Sequence, residues 1–135
     1  MARAENSPLQ LISSMTISLT SEEIARYRAQ LSDHPVACKA LDAIEDCEGD
    51  LEDAAIDLAL HAGQEPNVSE GWLDSMAKRC RPVLCEPSVR EQLDRDEIAG
   101  PVKALVEAKL CPPVLVAPVV FYAVKTGVED FCKGV

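Results

Sequence analysis

The sequence predicts an all-α fold, a small helical bundle, on three observations. Apolar residues recur at spacings of three and four along most of the chain, and residues that cap helices stand just ahead of those stripes. Hydrophobic content is 47% with only 4% aromatics, so the core must come mainly from Ala, Leu and Val, which suit helices in close approach. At 135 residues the chain can build one ordinary core, or two small helical subdomains that share a buried face.

Residues 1–19 begin MARAENSPLQLISS and carry neither a long apolar run nor a small-residue cleavage site, so they read as a flexible N-terminal extension. Thr20 and Glu23 in TSEE make a capping-box pattern, followed by Ile24, Tyr27 and Leu31 on one face, which predicts a helix over about 21–32. SDHP breaks it. Pro35 then suits the first turn of a second helix, whose stripe of Val36, Ala37, Ala40, Leu41, Ile44 and Cys47 runs out near Gly49. Asp50 caps a third helix bearing Leu51, Ala54, Ala55, Leu58 and Ala62, and Gly63 ends it.

GQEPNVSEG, residues 63–71, is polar and rich in turn formers, and divides a three-helix unit over 20–64 from a C-terminal helical part over 65–135. Beyond it Trp72, Leu73, Met76, Ala77 and Cys80 mark a fourth helix that Pro82 should stop. Ser88 and Glu91 repeat the capping-box signature before a short helix with Val89 and Leu93. A helix over about 98–110 places Ile98, Val102, Leu105, Val106 and Leu110 on one side, with Pro101 in its first turn. From Val114 to Val124 the chain is apolar all round apart from the Tyr122 hydroxyl. A buried helix over about 114–131, kinked at Pro118, is the favoured reading; two short strands broken at Pro118 and an interfacial segment are the alternatives. A membrane span needs about 20 apolar residues, and this run is too short for one.

The stretch GDLEDAAIDLAL carries a recognisable order: Asp50, Leu51, Glu52, Asp53, Ala54 and, four residues on, Leu58. With Ala40-Leu41 in the preceding helix, it resembles the ubiquitin-associated domain superfamily, over about residues 21–62. The resemblance implies a three-helix unit that docks a protein partner through the His34-Pro35 turn and the end of the third helix, Ala59-Leu60. The Met-Gly-Phe-like loop common in ubiquitin binders is replaced here by Leu31-Ser32-Asp33-His34-Pro35, so the implied role is a small docking module rather than a ubiquitin receptor.

A net charge of −10 repels nucleic acid and anionic membranes on average. Residues 20–66 hold 12 acids against 3 bases, so a basic protein is the partner that charge favours. Fixing Gly49 as the glycine of a calcium loop puts Ile44 first and Ala55 last, so the acidic cluster fails as an EF-hand and reads as a solvated face. Neither the six cysteines nor His34 and His61 stand at zinc spacing, and no metal or cofactor is expected. Absence of an export signal reads as a cytoplasmic, reduced chain. Cys80, set among Lys78, Arg79 and Arg81, is the best candidate for a lowered thiol pKa, which makes Cys80 and Cys85 a possible thiol switch. No nucleophile elbow, phosphate loop or carboxylate pair accompanies the histidines, so the sequence reads as a non-catalytic adaptor or accessory subunit. A structural subunit that oligomerises through its apolar 110–124 segment is a further alternative.

Overall fold

A computed structural model of the chain describes residues 17–64 and 71–133; most of the expected N-terminal extension and residues 65–70 of the connector lie outside the described residues. The described residues form α1 (Ser21–Gln30), α2 (Pro35–Asp46), α3 (Leu51–His61), α4 (Trp72–Arg79), α5 (Arg81–Leu84), α6 (Pro87–Asp94), α7 (Ala99–Ala108), α8 (Val116–Thr126) and α9 (Val128–Phe131). A 3₁₀ turn over Pro113–Leu115 precedes α8. The bundle is all-α, and the β pairing recorded among these residues is one antiparallel bridge between Ser18 and Asp50.

Local chemistry sets the first helices where the sequence places them. Glu23 N–H donates to Thr20 Oγ1 at 3.1 Å and Thr20 N–H donates to Glu23 Oε1 at 2.9 Å, a closed capping box that starts α1. Pro35 opens α2, where its missing N–H has no partner to lose. Asp50 caps α3 by accepting the Asp53 N–H at 3.0 Å. Residues 17–19 are already tied down: Leu51 N–H donates to the Ile17 carbonyl at 3.1 Å, Leu19 N–H to that of Gly49 at 2.9 Å, and Leu19 is buried. The flexible extension expected through residue 19 has therefore given way to packed chain by Ile17.

α8 is the axis of the bundle and packs against α2, α3, α4, α7 and α9. Its run of Val116, Ala117, Pro118, Val119, Val120, Phe121 and Ala123 is buried, as an apolar surface facing helices on several sides must be. Burial of each larger side chain in that run contributes on the order of 1.5–3 kcal/mol. One continuous apolar cluster runs from Leu19 to Cys132, so the 20–64 and 65–135 segments share their core.

Two boundaries differ from the sequence reading, each through a proline or glycine. Pro118 does not kink a helix over 114–131: α8 begins at Val116, so Pro118 sits in its first turn, and the break comes at Gly127, whose φ of +101° a side chain would resist. The fourth helix does end ahead of Pro82, at Arg79, and Pro82 then lies in the first turn of the separate short helix α5. α6 starts at Pro87 with Glu86 as the capping residue, so Ser88 is inside the helix and gives its hydroxyl hydrogen to Glu86 Oε1 at 3.2 Å.

Candidate functional site

Between the first turn of α2 and the outer flank of α7 lies an apolar groove of about 200 Å³. Val36, Val102, Val106, Val116 and Ala117 supply its apolar surface, and Asp33 and His34 its polar edge. A second hollow shares Val106 and Pro113 with it and continues along Lys109, Leu110, Cys111 and Pro112. The cause is the width of the α7 stripe. Ile98, Val102 and Leu105 reach the core, whereas Val106 and Leu110 turn past its edge and stay 46% and 40% exposed. Val36 is 48% exposed on the α2 side.

The groove gathers part of the sequence-derived surface. His34, half-buried, and Pro35, exposed, both line it. Ala59 does not belong to any surface: it is fully buried, because it continues the inward stripe of Leu51 and Ala55, with Leu58 only partly buried beside it. Leu60 is 59% exposed but does not line the groove. The sequence reading missed Val36, Val106 and Leu110 as surface residues. For Val106 and Leu110 the signal was the five-residue apolar stripe over 98–110, too wide for a single neighbour to cover.

The cysteines pair differently from the sequence expectation. Cys85 is disulfide-bonded to Cys132 with Cα atoms 5.6 Å apart, which departs from the expectation that all thiols are free. Cys80 and Cys85 are the residues flanking the two ends of α5, separated by about 7.5 Å of helix rise, beyond the reach of a direct bond. Cys80 is fully buried, and the neighbouring Cys111 thiol holds the Cys80 thiol below its ordinary pKa against the opposing effect of burial, with Arg79 helping. The same interaction, followed by burial, pushes Cys111 strongly upward. Sequence separations of 31 and 47 residues concealed both pairings.

No family model, curated protein or solved structure matches this chain. A role has to come from its own residues.

The acidic residues do mostly structural and solvating work. Arg28 bridges Asp42 at 2.8 Å and Glu45 at 3.3 Å, and Glu52 Oε2 accepts the Leu73 N–H at 3.4 Å near the start of α4. Within the basic run, Lys78 pairs with Asp74 on its own helix at 2.9 Å, and Arg81 Nε–H donates to the Phe131 carbonyl at 2.9 Å. Across the sequence, Lys125 Nζ meets Glu23 Oε2 at 2.9 Å, joining α8 to α1, and Arg26 Nη2 meets Asp96 Oδ2 at 2.7 Å. His61 Nδ1 stands 2.8 Å from the Asp57 carbonyl oxygen on the exposed end of α3, remote in role from His34 at the groove. Among the described residues no group of three or more His, Cys, Asp or Glu side chains could hold a metal ion, and no helix is long and apolar enough to cross a membrane.

Proposed function

We propose that this chain is a non-catalytic docking module that receives an apolar side chain of a basic protein segment in the groove between α2 and α7. One observation carries the reading: of the four large apolar side chains left exposed among the described residues, Val36, Val106 and Leu110 line the groove and its adjoining hollow. Apolar surface gathered in one place rather than scattered is the mark of an interaction site. Asp33 at the groove edge and the excess of acids over residues 20–66 favour flanking Lys or Arg on the partner. The resemblance to ubiquitin-associated domains agrees with a docking role for the His34-Pro35 turn, whereas Leu60, which the same resemblance implies, does not line the groove.

Selection from a displayed random-peptide library against the full chain tests this. The expected result is a set of peptides sharing an apolar anchor beside Lys or Arg, with affinity for Val106→Asp reduced about tenfold or more, as loss of a buried anchor costs. Leu60→Asp should bind them as the parent does. Enriched peptides indifferent to Val36→Asp and Val106→Asp, with both variants folded, would overturn the groove as the site.

A further inference from the structure

The described chain begins at Ile17, held at the turn between α2 and α3: its carbonyl accepts the Leu51 N–H at 3.1 Å, and Leu19 N–H donates to the Gly49 carbonyl at 2.9 Å. The groove lies at the other end of α2, against Val36 and Ala37. The 12 residues of α2 set the two points about 18 Å apart. Extended chain covers about 3.3 Å per residue, so Leu11 can stand about 20 Å from Ile17 and Leu9 about 26 Å. Both lengths span α2. Taking the groove as the docking site, we propose that its resident occupant is this chain's own N-terminal segment, with Leu9, Leu11 and Ile12 as anchors, and that a partner binds by displacing it.

Charge and apolar surface suit this occupant. No residue from Asn6 to Thr16 is charged, so the segment can cross the outer face of α2, where Asp42, Glu45 and Asp46 are exposed, without repulsion. Val36, Val106 and Leu110 leave apolar surface open along the groove and its adjoining hollow, and Leu9, Leu11 and Ile12 bring apolar side chains to cover it. Leu60, the remaining large apolar side chain exposed among the described residues, lines neither. The contact need not be strong, because a short flexible tether holds its segment near a site at an effective concentration on the order of millimolar.

The consequence is selectivity. A partner that carries Lys or Arg beside its apolar anchor is attracted by Asp33 at the groove edge and by the acids over residues 20–66, an advantage the uncharged run from Asn6 to Thr16 lacks. The tethered segment therefore yields to basic apolar peptides and competes well against uncharged ones.

Methyl NMR of the full chain, with Ile, Leu and Val labelled, tests the contact. The expected result is a set of nuclear Overhauser effects from Leu9, Leu11 or Ile12 methyls to those of Val36 and Val106, within one molecule. The triple change Leu9→Ser, Leu11→Ser and Ile12→Ser, which leaves charge untouched, should remove them and raise affinity for library-selected peptides about threefold, as release of an occupied site requires. Absence of these contacts in the parent chain overturns the proposal, as does their appearance only between labelled and unlabelled copies, which would make a second copy the occupant. Peptides that depend on Val106 yet bind the parent and the triple variant equally would keep the groove as a docking site and remove the tethered segment from it. Intramolecular contacts with no peptide enriched would do the reverse, keeping the segment in place and removing the basic partner.

Discussion

Tyr27 of α1 and Phe121 of α8 stack with ring centroids 4.9 Å apart and planes inclined by 16°. In a chain with 4% aromatics, this pair locks the N-terminal helices to the central one. Both rings are fully buried, and the Tyr27 hydroxyl donates to Asp96 Oδ1 at 2.6 Å. Phe121→Ala should destabilise the fold by about 3–5 kcal/mol, through lost burial and the cavity left in α8's packing. Tyr27→Phe keeps the stack and leaves Asp96 with Arg26, so its cost should be smaller, about 1–2 kcal/mol. Urea unfolding of both variants gives the comparison; equal losses would mean that the hydroxyl, not the stack, is the main tie.

The two tyrosines should resist alkali together. Burial, then the hydrogen bond to Asp96, pushes Tyr27 up to about 12, although Arg26 opposes the shift. Burial, then the Asp74 hydrogen bond, raises Tyr122 further. A folded pKa above the unfolded 10 means that this stabilisation is complete below pH 10 and disappears as pH rises through the folded value. Tyrosinate absorbance should therefore stay flat near pH 10 and rise at higher pH, together with loss of helical circular dichroism. A step at pH 10 in the folded chain would show that at least one hydroxyl is free.

At the acid end, Glu23 and Asp74 set the sensitivity. Burial pulls the Glu23 carboxyl upward, but the Thr20 N–H and the Lys125 ammonium outweigh it and hold the pKa below 4.5. For Asp74, burial is likewise outweighed by Lys78 and by the Tyr122 hydroxyl, which donates at 2.7 Å, so its pKa lies below 3.8. Depressed carboxyls stabilise above their unfolded pKa values, and the contribution is lost as pH falls through the folded ones. Stability should decline below pH 4.5. Glu23→Gln should cost about 1 kcal/mol at pH 7, after solvent screening of the Lys125 pair, and soften that decline. A parallel pH profile for the variant would remove Glu23 from the account.

Gly49 carries the sharpest backbone constraint. Its φ is +89°, and a Cβ there would run into the Leu19 carbonyl oxygen, which belongs to backbone and cannot swing aside. Gly49→Ala should cost about 2 kcal/mol or more, since strain adds to a disturbed bridge between Ser18 and Asp50. Gly63, at φ +78° with open space around it, should lose only about 1 kcal/mol on the same change. Matching losses at both would mean that the chain at Leu19 yields easily.

These contrasts show what the residue pattern discloses. Thr20, Glu23, Asp50 and Pro35 announce their helices because caps and first-turn prolines act within four residues. The bundle class is equally local, since stripes at three and four repeat in almost every segment. His34 and Pro35 were legible as a turn, and their place beside a groove was not, because the other wall comes from Val106, some 70 residues on. Ala59 was misread for a related reason: a small apolar residue looks the same on either face until its neighbours are known. The cysteine partners were invisible because packing of α5 against later segments, not spacing, brings Cys111 and Cys132 to its ends.

The Cys85–Cys132 bond closes a loop with a sequence separation of 47. In the chain-entropy account such a crosslink destabilises the unfolded chain by about 4 kcal/mol. The folded end does not depend on it alone: Phe131 is buried, and Arg81 lies over its ring at 5.5 Å while donating to its carbonyl. Reduction, or Cys85→Ser with Cys132→Ser, should therefore lower the urea midpoint without freeing α9 in the native state. Amide exchange separates the two effects: the slowest core amides of α8 should speed up with the fall in global stability, while those of α9 keep their protection relative to it. Selective loss of protection in α9 would mean that the bond, rather than Phe131 and Arg81, holds the C-terminal turn in place.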